Sequence, residues 1–340
     1  MKMCKLSICI PTFNRYDCLN NCLNSILIAK NNYDYEFEVC ISDNCSKKNI
    51  EPLIKKYKNY FDIKFNKNKS NLGLGVNILK AVSLADGEFV WILGNDDLLL
   101  PETFKSIDLL FKENSIVDFY YINSYNLDSS FLNKFKKPFN TYKLPKNMNK
   151  FSNYSKSFQS NFFDLIDYKI SFDFILGMFL AIFKKKIWDD NLFVIDKKLI
   201  EDKNTYSNFE NTAPHVMIWA SGFNNSKAYF QSQPLSVNTY GVREWMDLYP
   251  FVESIRIPEV LDLYRKNGLK LNKYLYNKNF ALRKLFISLF KIYFFKDIKG
   301  LQYISIKKHI IQNLFYPSIY YSPFFFAIRK IFKMILKIKN

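Results

Sequence analysis

Phe89-Val90-Trp91-Ile92-Leu93-Gly94-Asn95-Asp96-Asp97 is the stretch on which the fold turns. Five consecutive apolar residues run into a glycine, an asparagine and two acids. A short, unbroken apolar run reads as a strand covered on both faces, as at the centre of a parallel sheet. Burying an unpaired carboxylate costs several kcal/mol, so an acid pair after such a strand belongs where the sheet opens. Open α/β sheets bind ligands at the carboxyl ends of their strands. The alternative is a solvated turn whose aspartate caps the next helix.

The flanking sequence carries the same rhythm. Upstream, Leu6 to Ile10 is an apolar run closed by Pro11, and a helical pattern follows through Leu19, Leu23, Ile26 and Leu27. Asn14 is in place to cap that helix, with Asp17 three residues on. Phe37 to Ser42 reads as a strand, Ile50 to Tyr57 as a helix, and Ile63 to Phe65 as a short strand. Asn71-Leu72-Gly73-Leu74-Gly75 is a turn opening a third helix that stops at Gly87. Downstream, Pro101 suits the start of a fourth helix and Val117 to Ile122 reads as a strand. Such alternation with short connections implies right-handed crossovers and a doubly wound sheet.

Beyond this the pattern loosens. Residues 123 to 170 read as an irregular insertion or lid. Gly177 to Phe183 reads as a strand closed by the basic turn Lys184-Lys185-Lys186. His215 to Ala220 reads as a helix, Ala228 to Phe230 and Leu235 to Val237 as separate short strands, and helices dominate from Val252. The expected organisation is an α/β domain over 1-245, divided into an N-terminal half (1-120) and a second half (121-245). A helical C-terminal region over 246-340 follows.

Composition bounds the function. The chain has 340 residues, 18% of them aromatic, and a formal charge of +18. From Lys278 to Asn340 there are 13 Lys/Arg against the single acid Asp297. That imbalance calls for an anionic neighbour or water. No nucleic-acid-binding motif accompanies it. Aromatics such as Phe286, Phe290, Tyr293 and Phe294 alternate with these cations, which suits an anionic membrane surface. A helical subdomain with a solvated basic face is the alternative, and His309 is expected at the interface. The stretch from His309 to Ile328 lacks charge over 20 residues, yet Pro317 and Pro323 interrupt it, so no membrane-spanning helix is expected. The N-terminus carries no secretory signal pattern, so a cytoplasmic protein is expected, peripheral on the inner face of the membrane. All six cysteines fall within the first 45 residues with no CxxC, which reads as buried free thiols.

Four segments can carry chemistry. Asp96 and Asp97 offer hard oxygen ligands that suit Mg²⁺ or Mn²⁺. Asp43, in Ile41-Ser42-Asp43-Asn44-Cys45-Ser46, can accept from a uracil N3–H or from ribose; an Asx turn is the rival reading. Pro11, Thr12, Asn14 and Arg15 can line a base pocket and face a phosphate. Asn71 and Gly73 permit close backbone approach. There is no dinucleotide-binding GxGxxG and no Walker A pattern, which disfavours a nicotinamide cofactor and a P-loop enzyme.

In order and spacing, Leu6 to Arg15, Ile41 to Ser46, Asn71 to Gly73 and Gly87 to Asp97 resemble the family 2 glycosyltransferases, in particular their abequosyltransferase-like bacterial branch. The resemblance is good over residues 5 to 120 and weakens toward 240. It implies a GT-A fold (Rossmann-like, doubly wound mixed sheet). It also implies a nucleotide-diphospho-sugar donor (UDP-sugar favoured), a divalent metal (Mn²⁺ or Mg²⁺) and inversion at the anomeric carbon. Carried over by position, Thr12 and Asp43 would hold the nucleoside, Asp96 would sit near ribose and diphosphate, and Asp97 would ligate the metal; Asn95, also a nucleotide-sugar-binding candidate, departs from a plain Asp-Asp-Asp and leaves that work to the two acids. An inverting transfer needs a base on the acceptor side. Glu201-Asp202 is one acidic pair; Phe209 to His215 better matches the family's turn-to-helix segment, so Glu210 or His215 is the expected base. The acceptor would be a saccharide or lipid-linked sugar in surface polysaccharide (capsule or lipooligosaccharide) synthesis. Rival readings are a sugar nucleotidyltransferase, or a non-catalytic nucleotide-binding protein at the membrane surface.

Overall fold

The computed structural model describes residues 5–204, 206–241, 246–295, 297–325 and 328. Cys4 lies outside them. The chain divides into two compact units, Met1–Arg243 and Glu244–Asn340.

The first unit is built on a ten-stranded sheet. Strands β1 (Leu6–Thr12), β2 (Phe37–Asp43), β3 (Asp62–Lys67) and β4 (Phe89–Ile92) form its parallel half in the order β3-β2-β1-β4. β1, β2 and β4 are buried along their whole length, as their apolar runs require. Helices α1 (Tyr16–Asn32), α2 (Glu51–Tyr57), α3 (Leu74–Ser83) and α4 (Thr103–Glu113) make the connections. Leu19, Leu23 and Ile26 of α1 pack into one core with Ile8, Ile10, Trp91 and Phe104. Each such side chain contributes roughly 1.5–3 kcal/mol by leaving water.

The other half holds β5 (Leu98–Leu99), β6 (Phe119–Asp128), β7 (Asn149–Lys150), β8 (Phe158–Asn161), β9 (Ala181–Lys184) and β10 (Lys227–Tyr240). β9 runs antiparallel between β4 and β6, so the sheet is mixed at its centre. The order continues β9-β6-β10-β5, with β7 on β6 and β8 on β10.

Several expectations from sequence are corrected. Asn14 does not cap α1: its side chain bonds Lys47 N–H, its φ is +53°, and Arg15 holds the cap position without a side-chain cap bond. α3 ends at Ser83, well before Gly87. Gly87 is needed for close approach instead, since a Cβ there would stand 2.5 Å from Ser7 Oγ. Gly177 to Leu180 is irregular or 3₁₀, and only Ala181–Lys184 is strand. Lys185–Asp190 is a short helix where a basic turn was expected. Residues 123 to 128 complete β6, and β7 and β8 lie within the supposed lid. The two short strands near 228 and 237 are one strand, β10, irregular between Gln231 and Ser236. Pro234 inside that interval removes a ladder donor.

The second unit is helical, with Ile257–Lys266, Leu271–Ala281 and Leu285–Phe294 as its longer helices. Its buried Glu259 accepts from Arg256, Lys308 and His309. Burial raises the Glu259 pKa, but these three partners outweigh it and hold it at about 2. His309 is therefore a buried partner of Glu259 and not an interfacial residue. Among the described residues no helix is long and apolar enough to cross a membrane.

Candidate functional site

The expected donor-site residues converge at the carboxyl ends of β1, β2 and β4. Parallel register places Pro11 beside Ser42 and Thr12 beside Asp43. Pro11 is buried in the strand and has no side-chain polar atom to offer. Thr12 Oγ1 accepts from Asn95 Nδ2 at 2.7 Å, which ties the end of β1 to the turn after β4.

Asp43 is fully buried. Its Oδ1 accepts from Ser46 N–H at 3.1 Å and Ser46 Oγ at 2.5 Å. This confirms the Asx-like geometry but uses only one oxygen. Oδ2 has no hydrogen-bond partner among the described residues. A buried carboxylate oxygen without a donor is costly, so the site is built for a donor that arrives with a ligand.

A network of asparagines supports this floor. Asn77 of α3 donates to Ser42 O at 3.1 Å and accepts from Ser42 Oγ and Asn68 Nδ2. Asn44 donates to Asn71 Oδ1 at 2.7 Å and to Gly73 O at 3.1 Å. Gly73 has φ +86°, a conformation that favours glycine. A Cβ on Gly73 would stand 3.6 Å from Asp202 O, and one on Gly75 would stand 3.2 Å from Asn211 Cα. The turn opening α3 therefore sits against residues 202 to 211.

The acidic turn has two distinct members. Asp97 is 1% exposed; Gly94 N–H donates to its Oδ2 at 2.9 Å and Asn238 Nδ2 to its Oδ1 at 2.6 Å. It holds the turn together, which is not the open position expected of the metal ligand. Asp96 lies nearer the opening; Arg15 Nη1 meets its Oδ2 at 3.2 Å, and Thr239 Oγ1 bonds its backbone carbonyl. Gly94 lets both carboxylates approach, because a Cβ there would stand 2.7 Å from Asp97 Oδ2 and 2.8 Å from Asp96 Oδ1. Two half-buried or buried thiols lie nearby. Burial raises the pKa of both Cys18 and Cys22; Asp96 adds to it for Cys18, and Asp97 and then Asp96 for Cys22.

No cluster of three or more His, Cys, Asp or Glu side chains suited to a metal occurs among the described residues. Mg²⁺-type sites use one or two carboxylates and complete their shell with substrate phosphates and water. Asp96 and Asp97 are the two carboxylates of this turn: Asp96 lies nearer the mouth, and Asp97 accepts one hydrogen bond on each oxygen, which leaves lone pairs on both.

The two expected base residues differ sharply. Glu210 is half-buried in the short helix Phe209–Thr212, and its carboxylate makes no hydrogen bond or ion pair among the described residues. His215 is 4% exposed in the helix Pro214–Gly222, with Nε2 on Leu176 O at 2.8 Å and Nδ1 buried without a partner. Burial lowers its pKa to about 4. Asp202 is taken up by Ser207 and Asn204, with Ser207 first among the bonds that lower its pKa.

Sequence reasoning missed Asn238 and Thr239, which brace the acidic turn from β10, and the Asn44-Asn68-Asn77 network. Asn44 lay within a quoted motif and was the available clue. Nothing local ties Asn238 to Asp97, 141 positions earlier.

A mixed α/β sheet whose strand ends gather a buried acceptor, an arginine and an acidic turn defines a nucleotide-binding enzyme fold of the GT-A class. Residues 7–171 match the family model Glycosyl transferase family 2. The chain is 41% identical over 100 residues to the abequosyltransferase RfbV of Salmonella typhimurium, covering 29% of this chain and 30% of that one. It is 35% identical over 106 residues to TarS of Staphylococcus aureus, a poly(ribitol-phosphate) beta-N-acetylglucosaminyltransferase, covering 30% of this chain and 18% of that one. The chain thus matches under a third of either relative's length. The crystal structure of S. aureus TarS 1-349 in complex with UDP-GlcNAc superposes with a TM-score of 0.54 at 20% identity, over 85% of this chain and 73% of that one.

Proposed function

We propose that this protein is an inverting glycosyltransferase that takes its sugar from a UDP-sugar and passes it to a saccharide or lipid-linked acceptor of a bacterial surface polysaccharide. The observation that carries the reading is the buried, partnerless Asp43 Oδ2, at the same strand ends as Arg15 and Asp96. Uracil presents an N3–H that such an oxygen accepts. The likeness to TarS, solved with UDP-GlcNAc, supports the choice of nucleotide.

Each residue has a separate task in this reading. Asp43 and the Thr12-Asn95 pair receive the nucleoside, and Arg15 faces the diphosphate, for which a guanidinium fork is well shaped. Asp96 would hold a divalent metal, which when bound supplies positive charge to the departing diphosphate. Asp97 keeps the turn in shape. Glu210 takes the proton from the acceptor hydroxyl as its oxygen bonds to the anomeric carbon. The bond from that carbon to the diphosphate oxygen breaks on the opposite face, and UDP leaves. Glu210 is preferred to His215 because its carboxylate is uncommitted, while His215 is buried with a lowered pKa.

The second unit would bring the enzyme to an anionic membrane surface, consistent with its exposed aromatics and the basic sequence after Lys278.

The test is a screen of UDP-, GDP-, dTDP- and CDP-sugars with Mn²⁺, reading thermal shift and slow donor hydrolysis. A shift with the uridine donor, lost in Asp43→Asn, is expected. Glu210→Gln should keep the shift and lose transfer by about a hundredfold or more. If none of the four donors shifts or is consumed, the reading is wrong.

A further inference from the structure

The segment that carries Glu210 is held in place by the next residue. Asn211 is 3% exposed, and its Nδ2 stands 2.9 Å from each of Asp202 O, Asn204 O and Ser207 Oγ. Its N–H donates to Asn208 Oδ1 at 2.8 Å, and its Oδ1 accepts from Asn208 N–H, which caps the helix Phe209–Thr212. One side chain thus gathers Asp202, Asn204, Ser207 and Asn208 around the start of that helix. A buried polar network so fully bonded fixes one arrangement of the chain. Asn211 spends its polar atoms on the chain itself, so any effect it has on transfer passes through the residues it holds.

This segment rests on the turn that opens α3. A Cβ on Gly75 would stand 3.0 Å from Ile200 Cγ1 and 3.2 Å from Asn211 Cα, and one on Gly73 would stand 3.6 Å from Asp202 O. Glycine at 75 is what lets α3 approach the Asn211 backbone so closely. The same turn belongs to the donor floor. Asn44, next to the buried Asp43, donates to Asn71 Oδ1 and Gly73 O and accepts from Leu72 N–H at 2.9 Å. The turn is therefore bonded to the donor floor through Asn44 and packed against Asn211 through Gly75.

We propose that Asn211 is a positioning residue for transfer: it locks the segment bearing Glu210 onto the Gly73–Gly75 turn and so sets the base relative to the bound donor. The inference rests on the donor and base assignments above. A base must stand within hydrogen-bond reach of the acceptor hydroxyl, and a displacement of about 1 Å can cost a hundredfold in rate. Loosening this contact moves the base and leaves nucleoside binding, made by Asp43 and Thr12, in place.

The experiment measures transfer by the full chain in single turnovers with enzyme in excess, where a greatly slowed rate is still readable, together with donor KM and the UDP-induced thermal shift. Asn211→Ala should lower the transfer rate by roughly tenfold to a hundredfold, with donor KM and the UDP shift within about twofold of wild type. Gly75→Ala presses on the same contact from α3 and should act in the same sense; it carries the test alone if Asn211→Ala does not fold. The deciding comparison is made in a Glu210→Gln chain, where the base is already gone. There either substitution should cost less than about threefold further, because a residue that acts through Glu210 has nothing left to place. An equal loss in both backgrounds, or a loss accounted for by weaker UDP binding, would reduce Asn211 to general support of the fold and overturn the proposal. Wild-type transfer in the variants that fold would overturn it too. Glu210→Gln by itself separates the failures. Wild-type transfer there removes the base assignment, whereas slow transfer there with a fully additive Asn211→Ala removes the positioning role alone.

Discussion

Adjacent aspartates do opposite work at the end of β4. Asp97 is an internal brace: both its oxygens are taken, by Gly94 N–H and by Asn238. Replacing it with alanine leaves those two donors without acceptors, and each orphaned buried group costs about 1–3 kcal/mol. Asp97→Ala should lower stability by roughly 2–4 kcal/mol in urea unfolding, with activity lost along with the turn. Asp96→Asn, which keeps the side chain's shape and one acceptor oxygen, should change stability less than Asp97→Ala does, while transfer is lost. Wild-type stability in Asp97→Ala together with wild-type turnover in Asp96→Asn would reverse the assignment. His215 makes a second prediction at this scale, through pH. Its folded pKa, about 4, lies below the unfolded value near 6.5, so the unfolded chain takes up the proton first as pH falls. Stability is complete above pH 6.5 and is lost as pH falls toward 4, by roughly 3 kcal/mol in all. Denaturation midpoints of wild type and His215→Gln measured from pH 7.5 to 4 should therefore converge toward the acid end; parallel curves would count against it.

The elements that bear the site are the turns at the strand ends, and the tightest is the one at Gly94. A methyl group there would press within 3 Å of both Asp96 and Asp97. Gly94→Ala should therefore cut transfer by tenfold or more through displaced carboxylates, with a stability loss of about 1–3 kcal/mol. Unchanged kinetics in that variant would mean the turn is looser than its contacts indicate. This turn also shows what sequence can reveal. The run Phe89 to Leu93 had to be a buried strand, because five apolar residues have no solvent face to offer. The acids were expected to follow it where the sheet opens, which holds for Asp96 and not for the buried Asp97, and Thr12 and Asp43 fell beside them because parallel strands end together. The antiparallel strand β9 was readable only in part, since a four-residue segment carries no mark of direction. β10 was split into two because Pro234 interrupts a strand whose continuity depends on its neighbour β6. Asp97's true partner came from that strand, so its role was hidden: spacing identifies acids near a strand end but not which of them is already bonded.

The whole molecule adds a unit whose surface is unlike that of an ordinary solvated helical domain. Phe290, Tyr293, Phe294 and Phe315 are 56%, 70%, 64% and 68% exposed. Phe286 packs its ring 6.2 Å from Tyr320, which joins the helix Leu285–Phe294 to the segment around Tyr320, itself 56% exposed. Exposed large apolar groups in such number mark a binding surface. The sequence around them is strongly basic, and phenylalanine and tyrosine with lysine is the composition of an interfacial segment. An anionic lipid surface satisfies both features: acyl chains receive the rings, and headgroup phosphates receive the lysines at about 1 kcal/mol each. The full chain should therefore float with vesicles containing phosphatidylglycerol and remain behind with purely zwitterionic ones. Raising salt from 0.05 to 0.5 M should weaken the association, because the Debye length contracts. A Phe290→Ser, Phe294→Ser, Phe315→Ser chain should lose more than tenfold in partitioning while its UDP-induced thermal shift is unchanged, since each buried ring is worth roughly 1.5–3 kcal/mol. Equal flotation with both kinds of vesicle, indifferent to salt and to the three serines, would show that the aromatic surface meets something other than lipid.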